Sequence, residues 1–172
     1  MNIFAIEKTV DNEIDWIKSA QSQDNYRVVK MILESCQMLC TTLNVLNKEQ
    51  VSPYRTTHVN HPSTIWVRES SDNFERLVEH TMALLDEYTI RFNKIHKCSK
   101  VLDKIISLYD PSLFSSKDET PLPACVPDCF KEPCVVESYR KFYASKPRIR
   151  YPKEKVPRWF AEHRGSIPFT TI

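Results

Sequence analysis

One glycine stands among 172 residues, beside eleven prolines. Glycine-rich phosphate loops and dinucleotide fingerprints need several glycines where the backbone must come close to a phosphate. A nucleotide-fold enzyme is therefore not expected. No run approaches the roughly 18 apolar residues of a membrane-spanning helix. No stretch alternates apolar and polar residues at period two, so sheet architectures drop out and an all-α fold is predicted. No Ser/His/Asp or Cys/His set occurs at a readable spacing, which removes the usual hydrolase nucleophiles.

The six cysteines do not read as a disulfide framework. Cys36 and Cys40 fall on the apolar side of a helical stretch, where cysteine behaves as a small hydrophobe. Cys125, Cys129 and Cys134 form C-x3-C-x4-C without a nearby histidine, and the prolines between them stiffen the segment. Zinc sites use tighter paired spacings, so no metal is expected. The opening MNIFAIEKTV becomes charged too early for a secretory signal. A reduced, cytoplasmic protein that does not enter a membrane is the expectation.

At this length, with 41% hydrophobic and 27% charged residues, a single domain over 1–172 can bury a real core. The formal net charge of +2 is unevenly spread. Residues 140–164 hold nine Lys/Arg against Glu154 and Glu162, a balance of +7 that leaves −5 elsewhere. That stretch interleaves its cations with Tyr151, Trp159 and Phe160, a composition suited to nucleic acid, since cations neutralise phosphates and aromatic rings stack or pack.

The most informative stretch is Asp24 to Leu39, DNYRVVKMILESCQML. At 100° per residue Arg27, Lys30, Glu34, Gln37 and Thr41 share one stripe, with Val28, Ile32, Leu33, Cys36, Leu39, Cys40 and Leu43 opposite. The prediction is a long amphipathic helix from about Asn25 to Leu46. A short helix capped at Asp11 and running through Trp16 to about Ala20 precedes it. A third begins near Ser63, or restarts at Ser71 or Asp72, and runs to about Lys94, with Phe74, Leu77, Leu85 and Ile95 inward. A fourth spans Ser99 to Tyr109 with Ile106 inward, and a short fifth runs from Val135 to about Ser145. The irregular stretch at 110–134 is long for a compact domain and reads as a wrapping loop.

The polar stripe is either a solvated face or the floor of an active site. A glutamate among cations can serve as a general acid or support a cationic intermediate. Its missing nucleophile could be the chain's own α-amine, whose unperturbed pKa of about 7.7–8.0 leaves free base near neutral pH. His58 and His61, three apart, lack an adjacent third ligand and read as polar or phosphate contacts.

Two blocks carry a resemblance. The spacing D-x2-R-x2-K-x3-E-x2-Q-x-L, here Asp24, Arg27, Lys30, Glu34, Gln37 and Leu39, resembles the pyrimidine-dimer DNA glycosylase family. That family includes the small phage endonuclease that excises ultraviolet photoproducts. Asn60, His61, Pro62 and Trp66 resemble its "RNHPAVxMW" segment. The run through Lys97 is similar to uncharacterised phage proteins often filed with that family. The resemblance covers residues 20–97 and, loosely, the tail.

The resemblance implies a compact, mostly helical domain without metal or cofactor. It implies an N-terminal amine that attacks C1′ of a damaged nucleotide, then strand scission by β-elimination. The amine here belongs to Met1, or to Asn2 if the methionine is removed, and Asn2 is a side chain that removal enzymes process poorly. Glu34 takes the place of the essential acid. Arg27, Lys30, His61, Arg68 and Arg91 are expected as phosphate or sugar contacts, with Gln37 and Trp66 lining the pocket. Double-stranded DNA is the expected partner, bent and with a base flipped out, bound by a monomer. A non-catalytic DNA-binding or host-takeover protein, or a transferase modifying phage DNA bases, fits the same features.

Overall fold

The computed structural model describes residues 1–165. Residues 166–172 lie outside them. The fold is all-α, and among the described residues the only β pairing is an isolated bridge between Lys8 and Ile14.

The chain enters as an extended segment in which Ile3, Phe4, Ala5 and Ile6 are all buried. The backbone N–H groups of Ile6 and Glu7 both donate to Ser19 Oγ at 3.0 Å, and Arg140 Nε donates to Ile6 O at 2.8 Å. Four consecutive apolar residues, pinned by side chains from two helices, fix where Met1 and Asn2 lie. Helix α1 (Trp16–Gln21) follows. Its cap is Asp15, which accepts from Lys18 N at 2.8 Å, not the expected Asp11. Asp11 belongs to a turn in which Asn12 takes φ 67°.

Helix α2 (Asn25–Asn47) is capped by Asp24, which accepts from Tyr26 N at 2.9 Å, and stops at Lys48 in the left-handed region. The predicted third helix is two. Helix α3 (Pro62–Glu69) has Pro62 in its first turn, where a missing N–H costs nothing. Helix α4 (Ser71–Phe92) restarts after Ser70, whose extended backbone breaks the run and whose Oγ accepts from Asn73 N at 3.1 Å. The helix thus restarts at Ser71, one of the two expected positions, with Ser70 as its cap. Helices α5 (Ser99–Leu108), α6 (Val135–Ala144) and α7 (Arg158–Gly165) complete the described chain. Only α7 was unforeseen.

Helix α2 packs against α3, α4 and α5, α1 rests on α4, and α7 rests on α6. Val28, Ile32, Leu39 and Leu43 of α2 meet Leu77 and Leu84 of α4 in the core. Leu33, expected inward, is exposed, as are Ile95 and Ile106. Ile95 lies beyond the end of α4, where the helical period no longer governs which way a side chain faces.

Residues 110–134 wrap rather than link. Ser71 N and Asp72 N donate to Ser116 O and Lys117 O, both at 3.0 Å. Asn73 Nδ2 donates to Thr120 Oγ1 at 2.7 Å, and Thr120 N donates back to Asn73 Oδ1 at 2.9 Å. The loop thus supplies acceptors to the first turn of α4, whose amides have no partner within the helix. None of the described helices is long and apolar enough to cross a membrane.

Candidate functional site

The polar stripe of α2 is not uniformly wet. Thr41 is fully buried and exchanges hydrogen bonds with the backbone of Thr57, so the loop after α2 covers that end. At the other end Arg27 is buried, with Nη1 2.7 Å from Asp24 Oδ2 and its guanidinium 4.9 Å from the Tyr143 ring centroid. Between these covered ends lie Lys30 and Glu34, one turn apart and paired at 3.2 Å. The Glu34 side chain is only 16% exposed, whereas Lys30 is 52% exposed. The Lys-to-Glu order is the weaker one for an i,i+4 pair, so the pair contributes only a few tenths of a kcal/mol.

Glu34, largely withdrawn from solvent, faces a small cavity. The cavity, about 180 Å³, is walled by Met1 and Asn2 of the entry segment, by Arg27, Lys30 and Glu34 of α2, and by Lys146. Phe4 and Met31 also line it. Three elements distant in sequence therefore converge. The buried run 3–6 lays the chain's start against α2, and α6 delivers Lys146 just past its Ser145 cap. Burial first, and then the charges of Arg27 and Lys30, hold the Lys146 pKa below the usual lysine value. Asn2, its amide turned so that the nitrogen faces two carbonyls, donates to Met1 O at 2.9 Å and Cys125 O at 3.0 Å.

His61 stands beside this cavity rather than in it. As the cap of α3 it accepts from Ser63 N through Nδ1 at 3.2 Å, so the neutral ring carries its proton on Nε2. Its pKa is lowered, mainly by burial and then by the α-ammonium of Met1 and by His58, with Glu34 opposing. The histidine therefore lies within the field of both the chain's start and the glutamate, and stays neutral near pH 7.

The other expected site residues go elsewhere. Trp66 does not line the cavity. It is 1% exposed, stacked on Trp16 at 5.6 Å, and its Nε1 donates to Thr120 O at 2.9 Å. Arg91 is not open to a phosphate. Its side chain is 3% exposed and donates to Glu87 at 2.6 Å and to the carbonyls of Gln23 and Gln21 at 2.7 and 2.8 Å. Arg68, half-buried, holds the loop carbonyl of Val59 at 2.5 Å. Gln37, half-buried on the next turn of α2, is not part of the cavity wall.

Sequence reasoning missed Lys146 and Cys125. The first was one cation among nine in the basic stretch, with no spacing relation to α2. The second reaches the chain's start only because the 110–134 loop wraps, and its Sγ lies 3.3 Å from Ser63 Oγ. The three loop cysteines do not gather, and among the described residues no group of three His, Cys, Asp or Glu is placed to hold a metal ion.

No family model, curated protein or solved structure matches the chain.

Proposed function

We propose that the protein acts on double-stranded DNA as a glycosylase with associated β-lyase activity. The observation that carries this reading is the cavity in which an amine-bearing chain start, the Glu34 carboxyl and three cations meet. An amine forms an imine at C1′ of the target nucleotide as the base leaves. Glu34 serves as the acid at the sugar oxygen as the ring opens, and its carboxylate then faces the cationic imine. Loss of a C2′ proton expels the 3′ phosphate and cuts the strand. Arg27, Lys30 and Lys146 supply the positive wall that a phosphodiester needs, and neutral His61 is suited to accompany the sugar. At about 180 Å³ the cavity suits a sugar rather than a stacked base pair. In this reading the protein works as a monomer in the cytoplasm.

A non-catalytic DNA-binding role on the same scaffold is the second reading. The Lys30–Glu34 pair favours it, because such a pair is what a plain solvated helix face carries.

Borohydride trapping on duplex DNA with one abasic site separates the two. A covalent protein–DNA adduct is expected, and Glu34→Gln should slow its formation by about 100-fold or more while binding persists. Binding without any adduct from the unmodified protein would sink the lyase reading and leave the second one.

A further inference from the structure

Three amines line the cavity, the α-amine at the chain's start and the ε-amines of Lys30 and Lys146, and only the first depends on where the chain starts. The candidate that carries furthest is Lys146. Its ε-ammonium lies 3.5 Å from the Phe142 ring centroid, so the ring fixes the direction in which the side chain reaches the cavity. Arg27 is occupied by Asp24 at 2.7 Å and Lys30 by Glu34 at 3.2 Å. Lys146 meets no such carboxylate among the described residues and instead faces those two cations. The ring contact favours its charged form. Burial, and then the two neighbouring charges, lower its pKa from the usual lysine value. A lysine desolvated beside other cations is the usual way for a protein to present a free amine near neutral pH, and here a carboxyl group shares its cavity.

We propose that the ε-amine of Lys146 is the imine-forming nucleophile of this site, acting on the C1′ aldehyde of an abasic deoxyribose. The proposal rests on the glycosylase and lyase reading, and it moves the nucleophile from the chain's start to an internal side chain. In the step, the free amine's lone pair forms the N–C1′ bond and the carbonyl π electrons move to oxygen. That oxygen takes one proton from the nitrogen and one from the Glu34 carboxyl, and leaves as water. The iminium that remains keeps a single positive charge facing the Glu34 carboxylate. Chemistry at Lys146 makes retention or removal of Met1 immaterial to the nucleophile.

The test uses the full chain, an abasic-site duplex and borohydride, whose hydride reduces the iminium to a stable secondary amine. The adduct is mapped by peptide mass spectrometry in four proteins: the unmodified chain, Lys146→Arg, a chain acetylated at its α-amine, and the acetylated Lys146→Arg chain. Arginine keeps the charge and the Phe142 contact but is not a nucleophile at neutral pH, so the substitution separates the amine from its charge. The expected result is an adduct on the peptide containing Lys146, undiminished by acetylation and reduced about tenfold or more by Lys146→Arg, with Tm unchanged. An adduct on the α-amine alone, equal in the unmodified and Lys146→Arg chains and lost on acetylation, overturns the proposal and leaves the lyase reading standing. Absence of an adduct from all four proteins while they bind the DNA overturns both.

Discussion

His80 carries its imidazole fully inside the protein, with Nδ1 2.8 Å from Trp16 O and Nε2 3.2 Å from Gln23 Nε2. A carbonyl can only accept, so Nδ1 holds the proton and Nε2 accepts from the Gln23 amide. Both ring nitrogens are used by the neutral form, and a second proton would displace the Gln23 contact. Burial lowers the pKa from 6.5 to about 4, opposed only in part by the Trp16 carbonyl. Because the folded value lies below the unfolded one, the unfolded chain takes the proton first as pH falls. Stability from this group is complete above about pH 6.5 and is lost between there and about pH 4, by about 3 kcal/mol at the lower end. Thermal unfolding is expected to show a lower Tm at pH 5 than at pH 7. In His80→Asn that difference should shrink, and an unchanged pH dependence would remove His80 as its source.

Among the helices, α3 shows how a residue suited to a site can serve packing instead. Pro62 and the His61 cap start the helix, Ser70 ends the run, and one turn of it faces inward with Trp66 and Val67 buried. The Trp66 ring joins α3 to α1 through Trp16 and to the 110–134 loop through Thr120. Asn73 Nδ2 donates to Trp66 O at 2.8 Å, tying the same turn to α4. Trp66→Ala is expected to cost about 3–5 kcal/mol, read as a lower denaturant midpoint. Normal stability with lost DNA binding would return Trp66 to a recognition role.

Over the whole molecule, the basic stretch is not a free arm. Trp159 and Phe160 are buried, Trp159 Nε1 donates to Glu7 Oε1 at 2.9 Å, and Tyr151 OH donates to Ser22 O at 3.1 Å. These contacts bring its cations over the chain's start and the corner between α1 and α2. Lys155 pairs with buried Glu87, which also holds Arg91. Part of the positive charge is therefore spent inside the fold, and part remains at the cavity. Titration of DNA binding against salt should distinguish the two. Lys30→Ala is expected to flatten the log–log salt slope by about 0.9, as one phosphate contact does. Arg91→Ala should leave the slope unchanged and lower stability by about 2 kcal/mol or more, because Glu87 loses a buried partner. A changed slope in Arg91→Ala would mean that this arginine reaches DNA after all.

The helices, their order and the wrapping character of 110–134 were legible in the residues, because hydrophobic period, caps and prolines act over a few positions. The stripe of α2 was legible for the same reason, since residues three and four apart share a face. Periodicity could not separate its members. Arg27 and Thr41 are buried because Asp24, Tyr143 and Thr57 cover them, and Glu34 faces a cavity because the entry segment lies beside it. Trp66 and Arg91 were expected at the site, and packing placed both side chains inside. Lys146 joins Glu34 only through the fold, more than a hundred residues apart in sequence. The sequence by itself determined the all-α framework and the charged face of α2, which are local properties. Which of those charges meet an amine in one sheltered space was decided by the long-range contacts of α6 and the entry segment with α2.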